Sequence, residues 1–135
     1  MTAVLAAGPL LMVAGGDINL AGDWRTANRN SAGIAPLPAQ TPQAVVQVYA
    51  GRAFRWRGIF GVHTWIAAKP RNARNYTVYQ VMGWYARNGG SSIVSRLDIP
   101  DRNWYGARPQ LLADLRGEAA ASAIPKIESA IAHYP

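Results

Sequence analysis

Alternation of apolar and polar positions dominates the middle of the chain, and helical spacing dominates its end. In Gln43–Ala50, QAVVQVYA, residues Val46, Val48 and Ala50 fall on one side and Val45, Gln47 and Tyr49 on the other, so both faces of an interior strand are covered. Gly51-Arg52 reads as a turn. Ala53–Arg57 then alternates Phe54 and Trp56 with Arg55 and Arg57, which predicts a short strand or ribbon ended by Gly58. Gly61–Lys69, GVHTWIAAK, is the clearest strand. Val62, Thr64, Ile66 and Ala68 point one way, which puts His63 and Trp65 side by side on the opposite face.

After the polar turn Pro70–Asn75, the stretch Tyr76–Trp84 predicts the next strand, antiparallel to Gly61–Lys69 because the connection is short. Asn88-Gly89-Gly90 signals another turn, and Ser92–Leu97 a further strand. Ile99–Gly106 is a loop in which Trp104 and Tyr105 serve as anchors. Leu111, Leu112 and Leu115 recur at helical spacing, so Pro109–Arg116 is predicted as a short helix stopped by Gly117. Glu118–His133 is a longer helix with Ala120, Ile124, Ile127 and Ile131 on one stripe, kinked or restarted at Pro125. The expected fold is α+β: an antiparallel sheet of about four to five strands packed by one face against C-terminal helices.

The chain's first third differs in character. Ala3–Ala14 is an uninterrupted apolar run followed by Gly15-Gly16-Asp17. Its twelve residues are fewer than the ~20 that span a bilayer, and they match a signal-peptide core or part of an anchor. Asp17–Gln40 carries Gly, Pro and Asn without a sustained period and reads as an extended connector, with Trp24 as its candidate pin. The organisation expected is a hydrophobic signal or anchor remnant over 1–16, a linker over 17–41 and an α+β domain over 42–135.

Charge and composition narrow the chemistry. The 135 residues carry a net charge of +7, and twelve of the fourteen basic residues are arginine. Between Arg52 and Arg108, nine arginines and Lys69 face only Asp98 and Asp101, a net of +8. Such a field attracts anionic surfaces and polymers. The absence of cysteine removes disulfides, thiolate metal sites and a cysteine nucleophile together. With two histidines in all, His63 and His133, no metal site and no cofactor are expected.

Candidate functional residues converge on FRWRGIFGVHTWIAAK, Phe54–Lys69. His63 is the candidate general base or substrate-orienting residue, weighed against a histidine packed by Trp65. Trp65 with Arg55, Trp56 and Arg57 is the candidate ligand-binding surface, weighed against the ordinary alternation of a half-buried strand. Ser91-Ser92 lacks a nucleophile motif, and no phosphate-binding glycine pattern occurs.

The separated blocks GIFGVHTWIAAKP, RNWYG, LLADLRG and IPKIESAIAHYP resemble a bacterial family known as a domain of unknown function, DUF3750, from about Val45 to Pro135. The resemblance implies an envelope protein with an N-terminal hydrophobic segment, at the inner membrane or in the periplasm, and a chain that continues past residue 135. It also implies a membrane or cell-envelope component as partner, with nucleic acid unfavoured. A strand histidine followed by further strands is similar to circularly permuted papain-like folds of the NlpC/P60 and lecithin:retinol acyltransferase group, in which such a histidine activates a cysteine at a helix N-terminus. That cysteine is absent here. The expectation is therefore a non-catalytic envelope domain that binds through a basic aromatic surface; the alternative is a hydrolase or acyltransferase with His63 as base and its partner residue outside these 135.

Overall fold

The period-two stretches form strands, and in the computed structural model, which describes residues 22–55, 57 and 61–134, five of them join in one antiparallel sheet. They are β1 (Val45–Arg52), β2 (Val62–Lys69), β3 (Thr77–Val81), β4 (Ile93–Leu97) and β5 (Gln110–Arg116), in spatial order β4-β3-β2-β1-β5. A four-residue helical turn, α1 (Gly83–Ala86), lies between β3 and β4, and helix α2 (Gly117–Ala132) follows β5. The α+β class and the antiparallel sheet match the sequence pattern. The helical layer is a single helix.

β1 is the interior strand that its two apolar faces predict. It pairs with β2 from Val45↔Lys69 to Arg52↔Val62, and on its other edge with β5. That second pairing corrects the short helix expected over Pro109–Arg116. Leu111, Leu112 and Leu115 satisfy a helical period, but Ala113 and Leu115 also fit a strand, opposite Val48 and Val46. The backbone groups on the free edge of β1 need partners beside the core, and this decides for the strand. The register shifts between Val48 and Tyr49, absorbing one extra residue as a bulge. Gly117, expected as a helix stop, turns the chain from β5 into α2 at φ +59°.

Two further expectations change. Ala53–Arg57 is no ribbon: the Ala53 amide donates to Gly61 O (3.1 Å), the Gly61 amide to Arg57 O (2.8 Å), and Arg55 takes φ +59°. The β1–β2 ladder ends at Arg52↔Val62, so the chain must reverse within this stretch instead of extending. Tyr76–Trp84 likewise stops being strand at Val81, where Met82 donates to Ser92 O and the chain coils into α1.

Each sheet face has its own cover. On one, Ala120 and Ile124 of α2, flanked by Ile127 and Ile131, pack on Val46, Ala68 and Tyr79. This is the stripe that the helical spacing predicts, and burial of Ile124 contributes about 1.5–3 kcal/mol, with less from the partly buried Ile127 and Ile131. The helix runs through Pro125 as one element. On the other face, Val45, Tyr49, Trp65, Ala67, Tyr76 and Val78 are covered by Ile34 and Trp104.

Residues 28–36, read as connector, thus lie across the sheet. Asp101, 1% exposed, fastens them by accepting hydrogen bonds from Ser31 Oγ (2.7 Å) and from the amides of Ile34 and Ala35. Tyr76 adds a bond to Pro36 O at 2.9 Å. Trp24, by contrast, is half exposed. Among the described residues no helix is long and apolar enough to cross a membrane. The apolar run Ala3–Ala14 lies outside the described residues.

Candidate functional site

The covered face of β2 carries the site. Strand alternation places His63 and Trp65 together there, as predicted, and the β2–β3 register Trp65↔Gln80 brings a polar side chain beside them. His63 Nε2 lies 3.0 Å from Gln80 Oε1. With that oxygen accepting, the ring hydrogen sits on Nε2 and the Nδ1 lone pair is left for another donor.

The imidazole is stacked between aromatic neighbours. Its centroid is 3.8 Å from that of Trp104 at an interplanar angle of 15°, and 5.9 Å from that of Trp65. Trp65 stacks in turn on Tyr49 at 5.7 Å, and its indole N–H donates to Pro100 O at 2.7 Å, so the ring is fixed by one face and one edge. Burial lowers the His63 pKa from its ordinary value, while the bond to Gln80 works in the opposite direction. The neutral ring is therefore the form present at pH 7.

Trp104 is delivered by a tight turn. Trp104 and Ala107 exchange both backbone hydrogen bonds (2.9 and 3.0 Å), and the two residues between them, Tyr105 and Gly106, both have positive φ, +48° and +93°. This is the pattern of a type I′ turn, in which Asn-Gly is the favoured pair. A tyrosine in left-handed conformation is uncommon and strained. Its ring is used: it meets Trp104 edge-on at 4.9 Å, contacts Phe54 at 5.9 Å, and carries the Arg29 guanidinium over its face at 4.6 Å.

Beside this stack opens a pocket of about 70 Å³, walled by Trp65, Trp104 and Tyr105 and lined on its polar side by Gln80, Arg29, Arg96 and Arg102. Asp98 accepts from Arg96 Nε (3.0 Å), from Arg102 and from the Ile99 amide (2.8 Å), which locks both guanidinium groups in place. Three arginines against one carboxylate leave the pocket positive. Arg102 Nε is buried and has no hydrogen-bond partner, which ordinarily costs about 1–3 kcal/mol.

The other expected residues lie elsewhere. Arg55, exposed in the β1–β2 turn, donates to Gly22 O (3.2 Å) and sits over Phe54. Arg57 is exposed in the same turn, and neither arginine lines the pocket. Trp56 lies outside the described residues. His133 caps the C-terminus of α2, with Nδ1 2.7 Å from Ser129 O. Among the described residues no group of three His, Asp or Glu side chains is placed to hold a metal ion.

Sequence reasoning missed Gln80, Arg29, Arg96 and Arg102, and assigned Trp104 and Tyr105 only to anchoring. Gln80 carried a signal, being a polar residue in phase with buried Val78 on β3 and with Met82 just beyond its end. The arginines carried none, because they come from three separate parts of the chain, the segment before β1, strand β4 and the loop after it, and only the fold brings them to one pocket.

Residues 43–135 match the model of a family described as "Protein of unknown function (DUF3750)". No curated protein and no solved structure matches the chain.

Proposed function

The chain belongs to the DUF3750 family, a domain of unknown function, and from that membership we propose a binding role: a non-catalytic domain of the bacterial cell envelope that holds an envelope glycan in the Trp65–Trp104 pocket. The observation that carries this reading is a pocket walled by Trp65, Trp104 and Tyr105 and lined by three arginines, with Trp104 braced from behind by its stack on His63. Aromatic faces give a sugar ring an apolar platform, and the guanidinium groups supply fixed donors for its polar edge. The apolar run Ala3–Ala14 and the net charge of +7 support placement at the inner membrane or in the periplasm, near anionic envelope components.

Titration of the protein with soluble peptidoglycan fragments, followed by tryptophan fluorescence, tests the role. A saturable change that Trp104→Ala abolishes, while the circular dichroism spectrum is kept, is the expected result. No saturable change in the folded wild type, or one that Trp104→Ala leaves intact, rejects the reading. Fractionation of cells expressing the full-length protein tests the location; recovery in the cytosolic fraction counts against it.

One observation favours a second reading. The His63–Gln80 hydrogen bond has the geometry of a base and its orienting partner, and the neutral ring keeps Nδ1 free. A hydrolase or acyltransferase built on this pair would still require a nucleophile supplied from outside the described residues. Here His63→Ala is expected to abolish amide or ester turnover while the fold persists; loss of folding returns His63 to a packing role.

A further inference from the structure

The antiparallel ladders gather three connections at one end of the sheet. They are the reversal from β1 to β2 beyond Arg52↔Val62, the 82–92 connection that holds α1 beyond Val81↔Ile93, and the entry to β5 beside Ala50↔Gln110. Trp84 and Tyr85 of α1 are 49% and 46% exposed there, with ring centroids 6.0 Å apart, and the strand residues nearest to them, Val62 and Val81, are each more than half exposed. We propose that this end is a membrane-docking surface, which rests on anionic phospholipid with Trp84 and Tyr85 in the headgroup layer. It shares no residue with the Trp65–Trp104 pocket and so does not rest on the glycan reading.

Charge decides the occupant. No Asp or Glu occurs between Asp23 and Asp98, and Arg55, Arg87 and Arg108, all exposed, lie in or next to the three connections. Carboxylates lie toward the other end of the strands: the Asp98 amide donates to Tyr76 O, Glu118 pairs with Arg71, and Asp114 stands opposite Gln47. Asp23 follows the Gly22 carbonyl that Arg55 reaches, and Arg25 beside it offsets its charge. Indole and phenol rings set an apolar body and a polar edge across the boundary between water and hydrocarbon, and neighbouring arginines gain from anionic headgroups. The exposed valines favour lipid over nucleic acid, whose bases stack on rings and not on aliphatic side chains.

The chain has no cysteine, so a single introduced one can carry a polarity-sensitive dye. Asn88→Cys, just after α1, and Asn75→Cys, in the β2–β3 turn at the opposite end, are labelled in the full chain and titrated with vesicles of phosphatidylglycerol or of phosphatidylcholine. With phosphatidylglycerol the dye at position 88 should shift to the blue, less so as salt rises, while the dye at 75 stays unchanged. Replacing Trp84→Ser and Tyr85→Ser together should raise the lipid concentration for half the response about tenfold or more. Arg87→Gln should raise it about fivefold. Both substitutions are at exposed positions, and an unchanged circular dichroism spectrum confirms that the fold is kept. Vesicle binding in which both dyes respond alike, or which neither substitution weakens, overturns the proposal and assigns the contact to another part of the chain. Equal binding of the two lipids, a blue shift with duplex DNA and none with vesicles, or no response at all overturns it as well.

Discussion

A Cβ built on Gly51 would stand 2.7 Å from the Cβ of Trp104 and 3.3 Å from the Trp65 ring. Gly51 is the register partner of His63, so β1 is bare at the point where the 98–107 loop presses its tryptophan onto the sheet. The contacting atom is bonded directly to the Trp104 backbone and cannot swing away. Gly51→Ala is therefore expected to displace Trp104, to destabilise the protein by about 1–3 kcal/mol through overpacking, and to weaken ligand binding. Gly83→Ala, where an added methyl meets nothing within 4 Å, is the control and should stay within about 0.5 kcal/mol in denaturant unfolding.

This pair also marks how far the sequence could be read. Strand period alone placed His63 and Trp65 on one face of their strand and Thr64 and Ile66 on the other, because alternation is a local property of an extended backbone. The stripe Ala120, Ile124, Ile127 and Ile131 was legible for the same reason at a different period. Pro109–Arg116 was not, since its three leucines fit a helical period and only the edge of β1 left to pair, with a bulge that breaks the strand alternation, decides for a strand. The site itself is the least local feature. Trp104 and Gln80 meet His63 through the Tyr105-Gly106 turn and the β2–β3 register, and neither is written in the spacing around His63.

Tyr105 holds a left-handed conformation in a turn that prefers asparagine. Tyr105→Asn should relieve that strain and gain up to about 1 kcal/mol of stability, while removing the ring that meets Trp104 and carries Arg29. The expected outcome is opposite signs in two measurements, a raised unfolding midpoint and weaker ligand binding. A variant that loses both stability and binding would show the tyrosine to be structural.

Asp101 is a buried carboxylate whose acceptors serve one segment. Asp101→Asn keeps the shape but removes the charge: its one oxygen can still accept from the Ile34 and Ala35 amides, while its NH2 replaces the oxygen that accepted from Ser31 Oγ. We expect a loss of about 2–3 kcal/mol, since hydrogen bonds to charged groups are the stronger ones. Hydrogen exchange should show Ile34 and Ala35 losing protection ahead of β1 and β2. Ser31→Ala removes one neutral donor and should cost about 1 kcal/mol.

Ile124, 7% exposed, is the most deeply buried isoleucine of α2, and its neighbour Pro125 lacks the amide that would bond to the preceding turn. Ile124→Ala should cost about 2–5 kcal/mol. Pro125→Ala should stabilise the helix, by up to about 3 kcal/mol where the missing bond can form. Thermal unfolding followed at a helix-sensitive wavelength separates the two.

His63 links stability to pH. Burial among Trp104 and Trp65 lowers its folded pKa below the ordinary value, and the Gln80 bond opposes that shift without cancelling it. The unfolded chain therefore binds the proton more readily than the folded one. The stability this contributes is fully present above the ordinary histidine pKa of about 6.5, and is lost as pH falls from there through the folded pKa. The expected measurement is an unfolding midpoint that is lower at pH 5 than at pH 7.5, with His63→Gln losing part of that difference. Gln80→Leu removes the opposing contribution, so the imidazole resonances of that variant should titrate at lower pH than in the wild type. A shift in the other direction would mean that Gln80 does not accept from Nε2, and the assignment of Nδ1 as the free nitrogen would fall with it.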